Sequence, residues 1–106
     1  MSLPRPLSVD RALATLGTDL SRARRRRRFS QASFAERCGV SVATVRRLEK
    51  GDPGVAIEHL ARALYVLGEL PRLEKLIDTR DDELGLALMD EQLPRRVRSK
   101  PGSGAL

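Results

Sequence analysis

Arg46 and Arg47 lie in the segment Val42 to Lys50, where Val45 and Leu48 fall three residues apart, as on the inner face of a helix. A guanidinium pairs bidentately with O6 and N7 of guanine, and the Thr44 side chain or the methyls of Val42 and Ala43 can touch a thymine methyl. With Val45 and Leu48 turned inward, Val42, Ala43, Thr44, Arg46 and Arg47 are expected to face outward as the base-reading set. The two arginines are the strongest readers. For either alone, a phosphate contact or a solvated surface position is as good an account as a base contact.

A second set suits phosphates. Ser30 and Gln31 open a helix, whose free backbone N–H groups and positive dipole end favour an anion, and Gln31 adds a side-chain donor. Arg26, Arg27 and Arg28, with Ser41 and Lys50, complete the expected phosphate-binding residues. The run Arg24 to Arg28 also suits the negative end of the helix that it closes, so it does not by itself imply sequence reading. If it neutralises phosphates, counterion release makes binding steeply salt-dependent.

These residues need two short helices to position them. Ser30 is the N-cap of one, with Phe34, Ala35 and Cys38 as its inner face and Gly39 ending it in a left-handed turn. Ser41 caps the next, which Gly51 terminates. Ala35 is small enough for the helices to approach, Gly39 supplies the turn, and Val45 and Leu48 press one helix on the other. Two helices joined through so tight a glycine turn form a helix-turn-helix. The bland alternative, any helical hairpin with a glycine turn, explains neither the spacing nor the basic setting as well.

Around this pair the periodicity predicts only helices. Val9, Leu13, Leu16, Leu20 and Ala23 mark a first helix starting near Ser8, locally weakened by Gly17. After the turn Asp52–Pro53–Gly54, the residues Ile57, Leu60, Ala61, Leu64 and Leu67 predict a central buried helix ending at Gly68. Pro71 suits the first position of a fifth helix bearing Leu73, Leu76 and Ile77, and Asp81 or Asp82 can cap a sixth with Leu84, Leu88 and Met89. The expected fold is an all-α bundle of about five to six helices. Residues 1–7 read as a flexible N-terminal arm, 8–93 as the helix-turn-helix domain with a helical extension (core 16–77), and 94–106 as a basic flexible tail.

Composition narrows the classes. Of 106 residues only 3% are aromatic, so a small aliphatic core is expected, and a homodimer would add buried area. Residues 1–50 carry 12 basic and 4 acidic side chains, whereas residues 51–93 carry 4 and 10. The first half therefore faces a polyanion. Cys38 is single and reads as a core residue, His59 as a helix residue, and the carboxylates Asp81, Asp82 and Glu83 as caps and solvated positions. No metal-ligand spacing, phosphate loop or nucleophile–base set appears, so no cofactor, metal or catalytic activity is expected. Without a signal peptide or a run long enough to cross a bilayer, the expected location is the cytoplasm, at the nucleoid.

The stretch FSQASFAERCGVSVATVRRLEKGDPGVAIEHLARAL, Phe29 to Leu64, resembles the Cro/C1-type helix-turn-helix family, the class of xenobiotic-response-element-like repressors. The match lies in SQ before the second helix, A and G at the turn, and RLEKG closing the third. The resemblance implies a lambda repressor-like five-helix domain that binds, as a two-fold dimer, a double-stranded DNA operator with inverted half-sites. LEKGDPGVAIEHLARALYVLG and LALMDEQLPRRVR further resemble HipB-type antitoxins, which accompany HipA-type Ser/Thr kinase toxins. That likeness implies a repressor that regulates its own operon and binds the kinase, with the acidic region around Leu70–Glu91 as a candidate partner surface. A stand-alone or phage-type regulator is the alternative, and a nonspecific binder of RNA or anionic surfaces a third reading.

Overall fold

Pro6, fixed in an extended conformation, starts helix α1 at Leu7–Arg26, one residue earlier than the periodicity suggests. The computed structural model describes residues 3–92; the basic tail lies outside the described residues. The other helices are α2 (Gln31–Cys38), α3 (Val42–Lys50), α4 (Ile57–Leu67), α5 (Leu70–Glu74) and α6 (Glu83–Gln92), with a 3-10 turn at Thr79–Asp81. The fold is all-helical, with six α-helices and no strand among the described residues. The chain divides between Leu73 and Glu74 into two units, within the stretch that the sequence reads as one domain with an extension.

In the first unit the caps do what their chemistry requires. The Ser30 hydroxyl accepts from Ser33 N–H at 3.0 Å and the Ser41 hydroxyl from Thr44 N–H at 3.1 Å, each satisfying a helix-end donor. Gly39 and Gly51 close α2 and α3 at φ +72° and +75°, a region costly to a residue with a Cβ. The core is Leu20, Phe34, Ala35, Cys38, Val45, Leu48, Ala63 and Leu67, from α1 to α4. Burying a large aliphatic or aromatic side chain of this kind contributes about 1.5–3 kcal/mol.

The buried line of α1 is not the expected one. Val9 and Leu16 are exposed, and Gly17, Leu20 and Arg24 face inward. Gly17 is the point of closest approach between α1 and the end of α3: a Cβ there would lie 2.5 Å from the Glu49 carbonyl oxygen and 2.8 Å from Gly51 N. The residue that weakens the helix in isolation is the one that lets it pack.

The central helix is α3, which packs on both α1 and α2, rather than α4. Ala63 and Leu67 of α4 are buried against the core, with Leu60, Ala61 and Leu64 half-buried, but Ile57 is 72% exposed at its first turn. Helix α5 is only five residues long and starts at Leu70, so Pro71 is its second residue. Leu76 and Ile77, expected on its inner face, fall beyond it and are exposed; Asp78 N–H closes a turn on the Lys75 carbonyl instead. Without an apolar surface to pack on, so short a helix has little to extend it. In the second unit Asp82, rather than Asp81, caps α6 by accepting from Gly85 N–H at 2.9 Å.

Helix α1 closes through Arg28, which sits at φ +61° while Phe29 N–H bonds the Arg24 carbonyl at 3.3 Å. Left-handed backbone costs an ordinary L-residue about 1–2 kcal/mol, partly balanced by the greater chain entropy that glycine loses on folding. Arg28→Gly is therefore expected to stabilise the domain by about 0.5–1 kcal/mol. A thermal-denaturation midpoint unchanged or lower in the variant would contradict that backbone assignment.

Candidate nucleic-acid interface

The outer face of α3 follows from its inner one. Val45 is fully buried and Leu48 is buried beside it, so residues two places either side of Val45 lie about 200° around the helix. Ala43 and Arg47 occupy those places and are exposed, as are Arg46 and Lys50; Val42 is half-buried. Neither Arg46 nor Arg47 has an acidic partner among the described residues, and both keep donors free. Ser41 sits exposed at the head of the helix.

Thr44 corrects the expectation that five residues face outward. It is 5% exposed, its hydroxyl lies 3.0 Å from Ser41 Oγ, and it accepts from Arg47 Nη2 at 3.3 Å. The cause is the helical period: Thr44 lies one turn before the buried Leu48, about 40° from it around α3, and so falls on the inner side. Its place is therefore beneath a reader, and Arg47 leans on it.

A polar chain crosses the three helices. Arg24, 8% exposed, donates to both oxygens of Glu49, from Nε at 2.6 Å and Nη2 at 3.1 Å, and from Nη1 to the Phe29 carbonyl at 2.7 Å. Gln31 donates from Nε2 to Glu49 Oε1 at 3.1 Å, and its carbonyl oxygen accepts from Arg46 Nε at 3.4 Å. Arg24 thus fixes Glu49, Glu49 fixes Gln31, and Gln31 steadies Arg46. Sequence reasoning missed Arg24 and Glu49 in this role. The available signal was an acid between inward Leu48 and outward Lys50, facing a helix with a long basic run.

The structure separates the run Arg24–Arg28. Arg24 is internal. Arg27, expected at phosphates, spends its guanidinium on the carbonyls of Ala23 and Leu67, both at 2.8 Å, with Glu69 at 3.9 Å. It closes the end of α4 rather than presenting a free charge, because Leu67 leaves a carbonyl unpaired at that helix end. Arg26 and Arg28 are exposed. Gln31 is half-buried with its amide N–H engaged by Glu49, so the backbone N–H groups at the start of α2 are the donors left to an anion there.

Ala35 and Val45 meet in the core, Gly39 makes the turn, and Val40 N–H bonds the Ala35 carbonyl at 3.0 Å. Arg62 of α4 reaches the Cys38 carbonyl at 3.3 Å. Burial raises the Cys38 thiol above its ordinary pKa, with the Arg62 charge opposing. A raised pKa and a covered sulfur both slow reaction through the thiolate. Alkylation of Cys38 by iodoacetamide at neutral pH is thus expected to be slow in the native protein and fast in 6 M guanidinium; equal rates would contradict the burial.

A model of the helix-turn-helix domain family matches residues 15–75, more than half of the chain, and the chain belongs to that family. Membership supports the resemblance to the Cro/C1-type class and gives the chain a DNA-binding domain of the transcription-regulator kind. Neither the comparison with curated proteins nor that with solved structures returned a match. No helix among the described residues is long and apolar enough to cross a membrane.

Proposed function

We propose that this chain is a sequence-specific transcriptional repressor that binds, as a homodimer, an operator with inverted half-sites. The observation that carries the reading is the outer face of α3, where Ala43, Arg46, Arg47 and Lys50 are exposed and the arginines have no acidic partner among the described residues. Arg46 and Arg47 read base edges, with Ala43 and the edge of Val42 against thymine methyls. Ser41, Lys50 and the start of α2 at Ser30 hold phosphates, which set the register of the helix on the duplex. In a two-fold dimer the two reading helices sit about 34 Å apart, one turn of B-DNA.

The same reading extends to a partner. By its likeness to HipB-type antitoxins the chain regulates its own operon and binds a HipA-like Ser/Thr kinase toxin. The support is the resemblance of LEKGDPGVAIEHLARALYVLG, together with a second unit whose Leu76, Ile77, Leu84, Leu88 and Met89 are exposed among acidic residues. A kinase-like gene beside this one favours the antitoxin, and its absence a stand-alone regulator.

Fluorescence anisotropy tests the binding reading. The protein is expected to prefer the duplex upstream of its own gene over a scrambled duplex, and Arg46→Ala or Arg47→Ala to remove about 1–3 kcal/mol of that preference at a base-reading position. Equal, salt-sensitive binding to both duplexes would overturn it.

A further inference from the structure

Helix α1 carries a second basic surface that the reading helix does not use. Arg22, Arg25 and Arg26 line one open recess of about 290 Å³, and all three are exposed. Arg22 and Arg26 flank the buried Arg24 at two residues on either side, which puts them about 200° around α1 from the Arg24–Glu49 pair. They lie on the face of α1 turned away from α3.

Like Arg46 and Arg47 on the reading face, these arginines have no carboxylate partner among the described residues, whereas other surface arginines do. Arg5, Arg62, Arg72 and Arg80 each pair with a carboxylate: Asp10, Glu58, Glu69 and Asp78. Among the described residues Arg25 bonds only Ser21, through its carbonyl and hydroxyl at 3.3 Å, and no ion pair joins Arg22 or Arg26 to an acid. Asp19, three residues before Arg22, makes no such pair. The negative end of α1 favours Arg25 and Arg26, but that effect fades within the last turn and leaves Arg22 unexplained. Three exposed guanidiniums around one recess gather positive charge at one place on the surface, and guanidinium forks suit phosphate oxygens.

We propose that Arg22, Arg25 and Arg26 form a sequence-blind phosphate site for the DNA backbone, serving a stretch of duplex other than the one under α3. The choice of DNA rests on the binding reading above. The separate stretch follows from direction and stiffness. Arg47 stands two residues before Glu49, about 200° around α3 from the Arg24 contact, and Arg22 and Arg26 stand about 200° around α1 from the Glu49 contact, so these side chains leave the helix pair on opposite sides. DNA with a persistence length of about 150 base pairs does not bend around so small a domain at low cost. The protein therefore holds one duplex by its sequence and a neighbouring one by its charge.

A bead-capture experiment with Arg22→Gln/Arg25→Gln tests this. Both sites are exposed and Gln is a good helix former, so circular dichroism is expected to match the wild type. Biotinylated upstream duplex on beads is loaded with full-length protein, washed, and offered a labelled scrambled duplex at low salt. The variant is expected to load like the wild type but to capture several-fold less scrambled duplex, and the capture to vanish at high salt. Equal capture by variant and wild type, or none by the wild type, overturns the proposal. Loading of beads that carry scrambled duplex reads the other claim separately: if it equals loading on upstream duplex, sequence reading by α3 fails, while the capture comparison still judges the α1 site.

Discussion

Glu49→Ala is expected to lower the unfolding free energy by about 3–5 kcal/mol, the usual result of removing one partner of a buried ion pair. The side chains of Arg24 and Glu49 are 10% and 9% exposed, so water cannot take over the lost contacts. Arg24 would keep the Phe29 carbonyl, and its charge would remain in the interior without a counter-charge. The pair itself adds less than that figure suggests, because desolvation offsets most of the attraction. Arg24→Met/Glu49→Leu is therefore expected to recover most of the loss in urea denaturation. A Glu49→Ala midpoint within error of the wild type would contradict the burial of the pair. Loss of Glu49 also releases Gln31, so the binding preference is expected to weaken at temperatures where the variant remains folded.

Gly17→Ala is the second large effect, and its sign is informative. In an exposed helix interior, glycine to alanine stabilises by about 0.5–1 kcal/mol. Here the added Cβ meets backbone at the end of α3, at 2.5 Å from Glu49 O and 2.8 Å from Gly51 N. Backbone cannot rotate aside as a side chain can, so α1 must move off α3, which opens the packing over Leu20 and Leu48. Overpacking in a close-packed site costs about 1–3 kcal/mol, and a forced helix displacement lies at or above the upper end. The expected outcome is a loss of about 3 kcal/mol after the gain in helix propensity. Gly51 makes the reciprocal contact, its Cβ position lying 2.6 Å from the Leu13 carbonyl oxygen. A stabilised Gly17→Ala protein would place α1 elsewhere.

Local chemistry made the centre of the molecule legible from sequence. Ser30, Gly39, Ser41 and Gly51 each act on backbone within three or four residues, so the bounds of α2 and α3 followed from residue type alone. The inward Val45 and Leu48 likewise fixed which side of α3 is outward. What escaped depends on contacts distant in sequence. Nothing near Arg24 in the chain distinguishes it from Arg25; its partner Glu49 is 25 residues away. Arg27 is set apart by a carbonyl 40 residues on, at Leu67. Gly17 reads as a flaw until the backbone that it admits is known, and Thr44, one turn before Leu48, sits on the margin of the inner face, where the packed neighbours decide that it is covered. The 3.6-residue period alone could not show that Leu76 and Ile77 lie beyond the end of α5.

The central claim is that the outer face of α3 reads sequence, and selection from a randomised duplex library tests it most directly. Wild-type protein and Arg46→Ala/Arg47→Ala are each taken through rounds of binding, and the bound duplexes are sequenced. The wild type is expected to enrich an inverted repeat with half-site centres about 10 base pairs apart, and the variant to lose that motif while retaining salt-sensitive binding. A wild-type pool that stays random, or the same motif enriched by both proteins, would contradict the claim.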